Sequence, residues 1–119
     1  MKFTKKLLIT ALLSFAVLGT ARVAYVAYVQ KTQFQQAFDA AKKKDFATAL
    51  KLWQSLAEQG DANSQYNLGL MYSRGEGVKQ DDVEAAKWFR KAAEQGEAEA
   101  QFKLAMMYEF GRGGETRLF

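Results

Sequence analysis

Two pairs of acidic side chains, Asp81 with Asp82 and Glu97 with Glu99, lie close enough along the chain to suggest general acid–base hydrolysis. Ser55, Ser64 and Ser73 offer hydroxyls, but a serine becomes a nucleophile only beside a group that takes its proton. The chain has no histidine and no cysteine, which removes the commonest general base, the commonest metal ligand and any thiolate. Gly75-Glu76-Gly77 and Gly111-Arg112-Gly113-Gly114 have the composition of a phosphate cradle. No strand-like run precedes them and no Gly-Lys-Ser/Thr follows, so they read as turns. Each carboxylate pair stands at the start of an apolar-periodic segment, where acids satisfy free N–H groups and favour the helix dipole. These residues yield no catalytic residue, no metal ligand set and no cofactor motif. Their types and positions predict instead where helices begin and end.

The helices they punctuate recur. Shifted by 36 residues, the chain matches itself: Ala62 meets Ala98, Gln65 meets Gln101, Tyr66 meets Phe102 and Leu68 meets Leu104. Met71, Tyr72, Gly75 and Gly77 fall on Met107, Tyr108, Gly111 and Gly113. Upstream, Asp45 falls on Asp81, Ala49 on Ala85, and Ala57-Glu58-Gln59-Gly60 on Ala93-Glu94-Gln95-Gly96. A fixed register of this length signals stacked structural repeats.

Helical spacing predicts a helix over 34–43 with Phe34, Ala37, Phe38 and Ala41 on one face. Asp45 then caps a helix over 46–59, carrying a stripe of Ala49, Leu52, Trp53, Leu56 and Ala57 that ends at Gly60. Asp61 caps the next, 62–74, and Asp81 with Glu84 has the logic of a capping box opening 82–95. On that last segment Ala85, Trp88, Phe89, Ala92 and Ala93 are expected to face the core. Gly69 within a helix is unfavourable and points to a close helix–helix approach, since its counterpart Ala105 is also small. A final helix is expected over 98–110. After it, nothing resembles the segment 81–96, so the last unit lacks its second helix. Either the chain is truncated there, a fragment without activity of its own, or another chain covers its apolar end, as in self-association.

The unit 61–96 closely resembles the Sel-one-like repeat (SLR), a relative of the tetratricopeptide repeat with a longer loop between its helices. The matching residues are Ala62 with Leu68-Gly69 and Met71-Tyr72, then Gly75, Gly77 and Val78, then Gln80-Asp81-Asp82 and Ala85-Ala86-Lys87-Trp88-Phe89-Arg90-Lys91-Ala92-Ala93-Glu94-Gln95-Gly96. The match is weaker but in register over 34–60 and partial over 97–119, where Gly114 stands in place of the Val78 counterpart. The resemblance implies an all-α fold, a right-handed α–α superhelical solenoid of antiparallel helix pairs, serving as a scaffold for protein–protein interaction. It also implies that first helices line a concave face. Asn63, Tyr66, Leu70, Ser73 and Arg74 would face it from one repeat, and Glu99, Phe102, Met106, Glu109 and Phe110 from the next. The competing reading is that Tyr66, Leu70 and Phe102 simply pack between repeats. Some cysteine-rich SLR proteins are linked to β-lactam chemistry, which makes a cell-envelope hydrolase of lactam or cell-wall type the alternative function. The missing cysteines and the absence of an evident nucleophile argue against it, and the expectation is that the protein is not an enzyme.

The N-terminus adds a destination. Lys2, Lys5 and Lys6 precede an uncharged, mostly apolar run from Leu7 to Ala21, with small Gly19 and Ala21 spaced for cleavage. This is the form of a secretory signal peptide. The apolar character continues to Val29 with one charge, Arg22, so the segment 7–29 also suits an uncleaved membrane anchor. Both readings export the rest of the chain, to the periplasm or to the periplasmic face of the inner membrane of a bacterium. Without residues 1–21, Lys plus Arg falls from 17 to 14 against 13 acids. Such a balance gives no electrostatic footprint for nucleic acid. The expected partner is a protein or peptide.

Overall fold

The computed structural model describes residues 20–111, which hold five α-helices and no strand. These are α1 (Thr20–Lys42), α2 (Phe46–Glu58), α3 (Ala62–Arg74), α4 (Asp82–Glu94) and α5 (Ala98–Glu109). The chain divides into two units, Met1–Thr32 and Gln33–Phe119. In the first, residues 20–32 are helical, and Val23, Tyr25, Val26 and Tyr28 are exposed. Most of the signal or anchor segment, residues 1–19, lies outside the described residues. Among the described residues no helix is long and apolar enough to cross a membrane. The helix expected from Phe34 starts fourteen residues earlier, at Thr20. No glycine or proline stands between Thr20 and Lys42 to interrupt it.

The acids do cap. Asp45 accepts from the Thr48 N–H, Asp61 from Ser64, and Glu97 from Ala100. Asp81 accepts from both Val83 and Glu84, at 3.0 and 3.1 Å. The reciprocal half of the capping box is not made. The Asp81 N–H donates to the Tyr72 carbonyl at 2.9 Å, and Glu84 lies 3.6 Å from Lys87. The long loop after α3 brings Asp81 back against that helix, so its N–H needs no carboxylate. Replacing Asp81 by alanine removes the acceptor for two N–H groups and is expected to cost about 1 kcal/mol, measured by thermal unfolding.

In the second unit α2 packs on α3, α3 on α4 and α4 on α5. One core cluster joins Ala37, Ala49, Trp53, Leu56 and Met71; the other joins Ala85, Ala86, Phe89, Ala92, Ala100 and Met107. α3 serves both, giving Met71 to the first and Tyr66, Leu70 and Tyr72 to the edge of the second. Gly69 lets the Phe89 ring of α4 lie directly against α3. A Cβ there would lie 2.6 Å from a Phe89 ring carbon. Three expected core positions differ, Ala93 being half-buried at the edge of the second cluster. Leu52 is only half-buried, and Trp88 is half-buried under Lys91, whose Nζ sits 4.6 Å from the ring centre. Ala86 takes the buried place beside Ala85, because the α4 interface is narrow enough for a methyl group and not for an indole.

The repeat also carries a polar clasp. Gln65 Nε2 donates to the Ala57 carbonyl at 3.1 Å, and Gln101 Nε2 to the Ala93 carbonyl at 3.1 Å, one repeat later. Gln95 Nε2 bridges units, donating to Gln65 Oε1 at 2.8 Å and to the Gly60 carbonyl at 2.9 Å. Gly77 closes the long loop with φ +74, and a Cβ on it would sit 2.8 Å from the Phe46 carbonyl oxygen. That contact ties the loop to the start of α2. The result is an all-α helical repeat solenoid.

Candidate partner-binding grooves

Three helices build the larger groove, of about 390 Å³. The last turn of α1 brings Phe38 and Lys42, α2 brings Phe46 and Trp53, and α3 brings Asn67, Leu70, Met71 and Arg74. The aromatic wall is rigid: Trp53 lies edge-on to Phe38 at 6.5 Å between ring centres and tilted to Phe34 at 6.4 Å. Lys42 reaches over the Phe38 ring, with Nζ 5.0 Å from its centre. Arg74 pairs with Glu76 at 3.6 Å across an exposed edge, which contributes little.

A second groove, of about 260 Å³, lies between α3 and α5. Ser73, Phe89, Phe102, Lys103, Met106, Met107 and Phe110 line it. Phe102 and Phe110 are 62% and 63% exposed, and Met106 is 40% exposed. The row expected on first helices is thus divided. Leu70 and Arg74 belong to the larger groove, whereas Phe102 and Met106, with Ser73 and Phe110, belong to the smaller. Asn63 and Glu109 are exposed and line neither.

Tyr66 sits between. Its ring packs on Phe89 at 5.8 Å, and its hydroxyl feels the Glu99 carboxylate of α5, bringing near each other two residues expected on one face. Burial, then the Glu99 charge, pushes its pKa above 10.0. A raised value means the folded state holds the proton more tightly. The contribution to stability is fully present below 10.0 and is lost as pH rises through the folded value. A third depression, lined by Glu84, Lys87, Trp88, Arg90, Lys91 and Glu94, has charges of both signs. Among the described residues no acidic cluster is arranged to hold a metal ion.

Sequence reasoning missed Phe38, Lys42, Lys44 and Trp53 as groove residues, because 34–60 matches the repeat only weakly, and it missed Asn67, one turn before Leu70 and Met71 on α3. One signal was available. Lys44-Asp45 joins two helices as tightly as Gly60-Asp61 and Gly96-Glu97 do, and of these three short junctions only it lacks glycine, although its counterpart in the 36-residue register is Gln80-Asp81.

Stacked helices joined by caps and an inter-repeat clasp, with open grooves beside their first helices, define a helical-repeat scaffold. The Sel1 repeat family model matches residues 36–61, 62–97 and 98–117, and the chain belongs to that family. A Sel1 repeat protein from Oxalobacter formigenes is similar in structure, with a TM-score of 0.68 and 38% identity over 71% of this chain. A protective antigen of uropathogenic Escherichia coli strains with an SLR fold gives a TM-score of 0.71 and 33% identity over 81% of this chain. The chain spans 36% and 21% of the lengths of those two proteins. Comparison with curated protein sequences gave no match.

Proposed function

We propose that this chain is an exported protein-interaction scaffold, periplasmic or tethered at the inner membrane, that seats apolar side chains of a protein or peptide partner in its first-helix grooves. Its Sel1 repeats support the scaffold role. The observation that carries the groove assignment is the open apolar lining itself: Leu70 beside Phe38 and Trp53 in one groove, and Phe102, Met106 and Phe110 in the other. Contiguous apolar side chains open to solvent mark interaction surfaces, since water gains when a partner covers them. The hydrolase reading is not favoured, because Asp81 and Glu97 are engaged as helix caps and Asp82 accepts from Gln80.

The export half rests on the basic and apolar N-terminus. Alkaline phosphatase fused behind the full chain is expected to be active in bacteria, and an inactive but intact fusion would refute export. The groove half is tested by crosslinking and capture from an envelope fraction. Leu70→Asp and Met106→Asp, made singly, put a charge among the apolar side chains of one groove each, and at least one is expected to weaken capture about tenfold or more. Undiminished capture by the double variant would sink the assignment.

A further inference from the structure

We infer that the larger groove is selective for an acidic amphipathic segment, with apolar side chains on Phe38, Trp53 and Leu70 and carboxylates on Lys42 and Lys44. This rests on the scaffold reading and names its partner class. Charge argues for it first. The groove is lined by three cations, Lys42, Lys44 and Arg74, against one carboxylate, Glu76, which already lies 3.6 Å from Arg74. Lys42 and Lys44 form no ion pair among the described residues. The other first-helix groove carries one cation, Lys103, so the basic lining belongs to this groove and not to the array as a whole.

Backbone conformation is the second, independent observation. Lys44 has φ +62, a left-handed conformation that side-chain-bearing residues adopt at a cost. The same pair of closing backbone hydrogen bonds recurs at two other helix ends, and there the conformation is held by Gly60 and Gly96, at +97 and +89. Glycine would serve the turn better. The chain instead places a long cation where the backbone is strained, and that cation lines the groove. Of the six described positive-φ residues only Lys44 is not glycine, and it is the one that adds a charge to a cavity, which fits a binding role.

The test is selection of a random-peptide display library on the full chain. Selected peptides are expected to combine Asp or Glu with Phe, Leu or Trp. By fluorescence anisotropy their affinity should fall about tenfold in the Lys42→Gln/Lys44→Gly double variant and fall steeply with added salt. Lys44→Gly alone should raise the melting temperature while weakening binding, which separates loss of charge from loss of fold. Selected peptides without an acidic excess, or acidic peptides indifferent to both lysines, would overturn the inference. In that event peptides still lost by Leu70→Asp would leave the scaffold reading standing. Recovery of no binding peptide would count against both.

Discussion

Phe89→Ala is expected to lower the unfolding free energy by about 3–5 kcal/mol, bringing a repeat domain of this size close to unfolding at room temperature. Phe89 is 1% exposed and fills the α3–α4 interface. Its ring packs against Tyr66 and occupies the space that a side chain on Gly69 would need. Truncation therefore leaves a cavity whose walls are held by two helices and cannot collapse onto it. Circular dichroism with thermal or urea unfolding of the full chain measures the loss. A decrease below about 1 kcal/mol would mean that the interface repacks freely.

The same contact predicts a coupling. Gly69→Ala gains about 1 kcal/mol of helix propensity, but its Cβ would meet the Phe89 ring at 2.6 Å. Phe89 is buried and cannot swing aside, so overpacking of about 1–3 kcal/mol prevails and the single variant is destabilised. In a Phe89→Leu background the ring is gone, and Gly69→Ala should become neutral or stabilising. An equal penalty in both backgrounds would show that Gly69 serves the helix some other way.

Gly69 illustrates what the amino-acid sequence made legible. An unfavourable residue placed mid-helix, with a small residue in the next copy, points to a close approach before any coordinates are known. Capping acids, helix ends near glycines and the 36-residue register were legible for the same reason: each depends on neighbours within a few residues or on a repeated pattern. The groove assignment was only partly legible. Leu70 and Met106 occupy equivalent positions in successive repeats, and that equivalence suggested one shared surface. They line different grooves because the lining of each also depends on residues from other helices. Trp53 reaches the first groove from α2, and Phe89 the second from α4. Trp88 was misplaced because its sequence neighbours are core alanines, while the side of α4 it occupies is decided by how closely α3 and α5 approach. Lys44 stood in plain view as the junction without glycine. Its meaning required the dihedral angle and the cavity beside it.

Gln65→Leu is expected to destabilise the array by about 1–2 kcal/mol although leucine is similar in size and more apolar. Gln65 is 5% exposed and works in both directions, donating to the Ala57 carbonyl of the preceding unit and accepting from Gln95 of its own. Leucine would gain in transfer free energy but would remove the only side-chain bond described to the Ala57 carbonyl, and would leave the exposed Gln95 amide with the Gly60 carbonyl alone. At the buried Ala57 carbonyl the loss exceeds the bond itself, because water cannot take the place of the missing donor. The equivalent substitution one repeat later gives the control. Gln101 makes the same bond to Ala93 but is exposed, so water can replace it, and Gln101→Leu should change stability by about 0.5 kcal/mol or less. Hydrogen exchange at the α2–α3 junction should accelerate in the first variant and not in the second. Equal effects at the two positions would mean that burial does not set the strength of the clasp, and that the contact between repeats is held by the apolar faces alone.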